Sequence, residues 1–286
     1  MPPGASRLVW GSKLGPYLQA SLFESEQTRM PASPTGTLDR AELDVMQRLF
    51  LARMPDFGDF TEPEGTYWLH ERAYKEELMA LCRASLPREL FDGAISANAN
   101  DVLRATRTVL TSRLRDSGAP QNLVGWRYYE LLNDKFLGDQ GLFAESFGDL
   151  LYGADTSPIR VERFTRAMWP AYQRAASGGN PYAQARMFPT FFLMLLHPTT
   201  DIALRTDMFN SASRTLLDRR VLRASPLSAA EYEDALALAH GVRAQLEAWA
   251  WCPRDLIDVH SFLWIVTRDA KVAADERDKV DDGGVQ

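Results

Sequence analysis

The residues able to do chemistry gather in a few places, and the densest is Asp255-Leu-Ile-Asp258-Val-His260-Ser-Phe-Leu-Trp264, which follows Cys252-Pro253-Arg254. A carboxylate in the first turn of a helix accepts backbone N–H groups and meets the positive end of the helix dipole. Asp258 is therefore either a helix cap or a carboxylate fixed for reaction. A second set, Trp68, Glu71, Trp126 and Tyr129, combines aromatic faces with a carboxylate. An extruded base needs both, for stacking and for edge recognition, although aromatics on helices more often pack a core. Arg205, Arg254 and Arg268 are the candidate contacts to a phosphate backbone.

Other chemistries find no support. The chain has no Gly-x-x-x-x-Gly-Lys-Ser/Thr and no Gly-x-Gly-x-x-Gly pattern, so no nucleotide cofactor is expected. The four histidines, His70, His197, His240 and His260, lack the His-Glu-x-x-His spacing. With only Cys82 and Cys252 besides, no metal site and no disulfide framework are expected. A Gly-x-Ser-x-Gly nucleophile elbow is also absent.

The elements that must position these residues read as helices throughout. Ser228 with Glu231 three residues on is a capping box. Tyr232, Leu236, Ala239, Val242, Leu246 and Trp249 then recur at the spacing of one helical face. Pro253 stops that helix, the chain turns at Trp251-Cys252, and a second helix carries Asp258. Upstream, Asp39 opens a helix through Leu43, Met46 and Phe50, and Thr66 is placed to cap one from Tyr67 to about Arg83. Helices are also expected from Asn100 or Asp101 to Leu114, over Leu123 to Asn133, and from Ser157-Pro158 through Tyr172. Met187 to Leu196 is apolar on every face, which predicts a central buried helix interrupted or kinked at Pro189. With no alternating strand pattern, the expectation is an all-α fold, a single compact multi-helix domain over 37–268. An irregular N-terminal arm over 1–36 precedes it, and an acidic, disordered tail over 269–286 follows.

The net charge of −6 argues against a general nucleic-acid coat, whose affinity comes from neutralising phosphates. The charge is segregated, however. Between Thr156 and Arg223 ten arginines face four acids, a local excess of six, so that region is a candidate phosphate-facing surface. The longest apolar run, Phe191 to Leu196, is far too short to span a bilayer. With no signal-like N-terminus, the expected location is cytoplasmic, with no membrane partner.

The helix, short loop and Ile257-Asp258-Val259-His260 run resemble the catalytic segment of helix-hairpin-helix DNA glycosylases, in which a Val-Asp-Thr-His-like run opens a helix. The family's Gly-rich hairpin is represented here only by His240-Gly241-Val242. Phe188 to His197 and Pro253 to Thr267 are also similar to bacterial phage-defence proteins, including glycosylases that excise modified cytosines. The resemblance implies a DNA glycosylase that flips out a modified or damaged base of double-stranded DNA, with Asp258 stabilising positive charge on the sugar. It implies no cofactor, and an abasic site as product. The alternative is a non-enzymatic module that recognises modified DNA for a restriction or defence system. No lysine lies between Lys135 and Lys271, so the segment before Asp258 has no Schiff-base nucleophile and a monofunctional enzyme is expected. On this reading Asp258→Asn stops base release and leaves folding nearly intact.

Overall fold

The computed structural model describes residues 37–92, 95–112, 123–177, 179–223 and 225–268. The expected N-terminal arm and acidic tail lie outside them. The described chain is all-α, and among the described residues there is no strand. The main helices are α1 (Arg40–Arg53), α2 (Gly65–Tyr67, Trp68–Arg72 and Ala73–Ser85 in succession), α3 (Ile95–Thr111), α4 (Gln140–Tyr152), α5 (Ser157–Ala175), α6 (Tyr182–Leu196), α7 (Thr206–Leu217) and α8 (Ala229–Ala248). A ninth, α9, runs over 256–268.

The centre of the core is α6. Every residue from Ala185 to Leu195 is buried, which is what an all-apolar surface requires, since no face can be left to water. Helix α6 packs against α2, α4, α5 and α7, and each fully buried Phe, Leu or Met contributes about 1.5–3 kcal/mol relative to exposure. The helix runs unbroken through Pro189. Thr190 Oγ1 donates to Arg186 O and accepts Leu204 N–H at 2.8 Å, tying the next segment to this turn.

The capping box at α8 forms as the sequence predicts. Ser228 Oγ accepts Glu231 N–H at 3.3 Å while Glu231 Oε2 accepts Ser228 N–H at 3.2 Å. Ser228→Ala is expected to cost about 1 kcal/mol, measurable as a lower denaturation midpoint with an unchanged m-value. Of the expected stripe, Tyr232, Leu236, Ala239, Val242 and Leu246 are buried, and Trp249, at the C-cap, is half-buried. Ala250 and Cys252 both take left-handed backbone angles, φ 61° and 50°, which reverse the chain between α8 and α9.

Three local expectations fail for identifiable reasons. Thr66 is not the cap of α2: its N–H and hydroxyl both go to Asp56 Oδ2, at 2.8 and 3.1 Å, so a loop carboxylate does the capping from ten residues away. Leu123 to Asn133 is helical only as the 3₁₀ turn Trp126–Leu132, since Gly125 is extended and the turn is already closed by a new cap at Asn133. The helix expected from Asn100 or Asp101 to Leu114 runs instead from Ile95 to Thr111, where Thr111 and Ser112 hydroxyls donate back to Arg107 O and Val109 O.

Candidate functional site

Helix α2 is interrupted by a π-turn at Trp68–Arg72, a feature often found at functional positions because it re-aims side chains. The turn aims Arg72 into the N-terminus of α9. An aromatic cluster fixes the approach: Phe50, Phe57, Phe60 and Tyr67 pack with Trp251, ring centroids 5.0–6.2 Å apart where Trp251 meets Phe50, Phe57 and Phe60. Phe60 N–H donates to Trp251 O at 2.8 Å, and Leu256 N–H to Pro198 O at 2.8 Å. The start of α9 is therefore held from two sides before any charge is considered.

Asp255 is the cap of α9, its Oδ1 accepting Ile257 N–H at 2.9 Å. Asp258 sits one turn further and is fully buried, with 0% exposure. Its Oδ1 accepts from Tyr67 Oη at 2.6 Å, Arg72 Nη1 at 3.1 Å and Arg254 Nη2 at 3.1 Å. Its Oδ2 accepts Arg254 N–H at 2.9 Å and Nε at 3.1 Å. A carboxylate offers about four lone-pair sites, so five donors saturate it. Arg72 grips Asp255 with both terminal nitrogens, at 2.7 and 2.8 Å, and also pairs with Glu76. Burial opposes the Arg72 charge, but Asp255 and Asp258 outweigh it and hold the guanidinium above its ordinary range. Burial and the Asp258 charge raise the Tyr67 phenol, so Tyr67 stays protonated as a donor.

Four of the residues expected from sequence share this region. Arg254 lies over the half-buried Trp68 ring, 5.2 Å from its centroid, and bonds Asp258. Glu71, on the same π-turn, accepts from Lys75 Nζ at 2.9 Å, and that ammonium also donates to Ser261 Oγ at 2.7 Å. The fold thus brings a lysine from α2 to α9 within a turn of Asp258. Burial opposes the Lys75 charge, but Glu71 and Tyr74 prevail and raise its pKa above the usual lysine value. Lys75 is therefore an ammonium, not a nucleophile.

Tyr129 stands apart. It is half-buried against the core, and among the described residues no hydrogen bond, ion pair or ring contact joins it to Asp258, Trp68 or Glu71. The Trp126–Leu132 turn packs against α5 and α6; the side chain of Trp126 lies outside the described residues. Arg268 is exposed at the last described position of α9. Arg205 lies over the half-buried Trp264 ring at 4.1 Å. The arginine surplus between 156 and 223 is largely used internally. Arg163, Arg166 and Arg219 pair with acids, while Arg160, Arg174 and Arg186 donate to backbone carbonyls.

Sequence reading missed Tyr67, Arg72 and Lys75, which come from a helix some 190 residues away from Asp258. The available signal was that Arg72 and Lys75 interrupt an otherwise amphipathic stretch. His260, which as a helix-side residue of the Ile257–His260 run would be satisfied by a neighbour, is instead 2% exposed with neither ring nitrogen partnered. An unsatisfied buried polar group costs roughly 1–3 kcal/mol, so such a group calls for a physical reason. Among the described residues, no group of three or more His, Cys, Asp or Glu side chains could hold a metal ion, and no helix is long and apolar enough to cross a membrane.

Compared with protein families, curated proteins and solved structures, the chain gives no significant match.

Proposed function

We propose that this domain recognises double-stranded DNA carrying a modified base, with Asp258 as the buried anchor of the recognition surface. One observation carries the reading: two of the arginines expected at phosphates, Arg254 and Arg205, lie over half-buried tryptophans instead of in exposed ion pairs. Guanidinium and indole side by side supply what nucleic acids bind, a cation for phosphate and a π-face for a base. Arg205 forms no ion pair among the described residues, so its charge remains available. The saturated Asp258 holds Arg254 in place, a positioning role that needs no chemistry.

Base excision is the second reading, and the exposure of Arg254 favours it. Of the side chains on Asp258, Arg254 is 24% exposed and Arg72 only 3%. A DNA phosphate that drew the Arg254 guanidinium away would free two of the five contacts on the carboxylate, leaving the Arg254 backbone N–H in place, and open a path to it. Excision by that route would use water, because Lys75 is held as an ammonium.

Both readings meet in one experiment. Fluorescence anisotropy with plain and hydroxymethylcytosine-containing duplexes is expected to show tighter binding to the modified duplex, weakening steeply with salt. Arg205→Ala is expected to lower the log–log salt slope by roughly one unit per lost phosphate contact. Strands that survive hot alkali after incubation fit recognition; alkali-labile sites fit excision. Binding that ignores both salt and modification sinks the DNA reading.

A further inference from the structure

His260 and Trp264 are four residues apart on α9 and so share one of its faces. Arg205 lies over the Trp264 ring, and the charges of Arg205 and Lys75 both act on the His260 ring. Arg205 also acts on Tyr74, whose ring lies 5.3 Å from Lys75 Nζ. By exposure, half-buried Tyr74, Arg205 and Trp264 are the outer members of this group, and buried His260 and Lys75 are its floor.

The floor holds an imidazole with both nitrogens unpartnered. A neutral imidazole presents one N–H donor and one lone-pair acceptor, while Lys75 is already occupied by Glu71 and Ser261. The unfilled capacity of the imidazole is therefore a donor beside an acceptor, which complements the edge of a planar, uncharged heterocycle better than an anion. Above it, the guanidinium of Arg205 occupies the indole face, a place where a base ring can stack.

On the DNA reading given above, we infer that the Trp264 face covered by Arg205, with His260 beneath it, is the seat of the extruded modified base. A backbone phosphate draws Arg205 off the indole, the base takes its place on Trp264, and His260 supplies hydrogen bonds to the base edge.

The test measures the full chain binding to the two duplexes, alongside thermal melting without DNA. His260→Leu removes the unpartnered nitrogens at similar volume. It is expected to leave the melting temperature equal or higher, to leave plain-duplex affinity and salt slope unchanged, and to cut the preference for the modified duplex at least tenfold. Trp264→Leu is expected to lose the same preference. His260→Gln, which keeps a donor and an acceptor, is expected to retain part of it. Imidazole nitrogen resonances of the wild-type protein should move on addition of the modified duplex, a readout independent of any variant's folding. A preference that survives in His260→Leu, or imidazole signals that do not move while the modified duplex is bound, overturns the assignment and leaves the DNA reading standing. Absence of any modified-duplex preference in the wild type removes both.

Discussion

Asp258→Asn is expected to lower the unfolding free energy by about 3–5 kcal/mol, the usual cost of removing one partner from a buried, hydrogen-bonded ion network. Sequence alone predicts folding left nearly intact, because asparagine keeps the shape and much of the capping ability of aspartate. Burial changes that outcome. The carboxylate compensates two guanidinium groups, and Arg72 is only 3% exposed in its side chain. Asparagine also has a single acceptor oxygen, so its NH₂ would face the donors that now converge on Asp258. Asp255 still grips Arg72 through two bonds, which places asparagine toward the lower end of the range and alanine toward the upper. Arg72→Met together with Asp258→Leu is expected to cost less than the sum of the two single changes, since no charge is then stranded. Urea melts at neutral pH provide the measurement. A loss under about 0.5 kcal/mol for the asparagine variant would show that the network contributes little. The prediction also governs how any loss of DNA activity is read: it must be compared below the variant's melting point before chemistry is assigned to Asp258.

The all-α fold, the buried α6 and the capping box of α8 were legible because each rests on local periodicity or on residues three apart. The site was half legible. Asp258, Arg254, Trp68 and Glu71 were singled out by residue type, and the fold does bring them to one region. What one residue could not reveal was saturation: Asp258 receives Tyr67 and Arg72 from α2, and contacts across that separation leave no mark in a single sequence. The arginine excess misled for the same reason. Its partners Asp149, Asp155 and Asp234 fall outside the window in which the charges were counted, and the carbonyls that accept from Arg160, Arg174 and Arg186 carry no formal charge at all. Tyr129 illustrates the limit of composition, since an aromatic on a turn packed against α6 has the same letter as one at a base pocket.

Stability should also fall on mild acidification because of His260. Burial, followed by the charges of Lys75 on α2 and Arg205 before α7, holds the imidazole well below its ordinary value of 6.5. Above pH 6.5 the ring is neutral in both folded and unfolded chains and contributes no pH dependence. Below it the unfolded chain takes up a proton that the folded chain refuses, so the unfolded state gains with each step toward acid. The slope approaches about 1.4 kcal/mol per pH unit and continues until the folded ring itself titrates. Half-buried His240, also lowered by burial and by Arg243, pushes the same way and is unaffected by changes at position 260. The difference between wild type and His260→Leu therefore isolates one ring. Denaturant melts from pH 7.5 to 5 should show the two curves parallel above 6.5 and diverging below it, with the leucine variant the flatter and the more stable. Curves that stay parallel to pH 5 would mean that the imidazole accepts its proton in the folded state. It would then have a hydrogen-bonding partner, and the floor beneath Trp264 would not hold an uncommitted donor and acceptor.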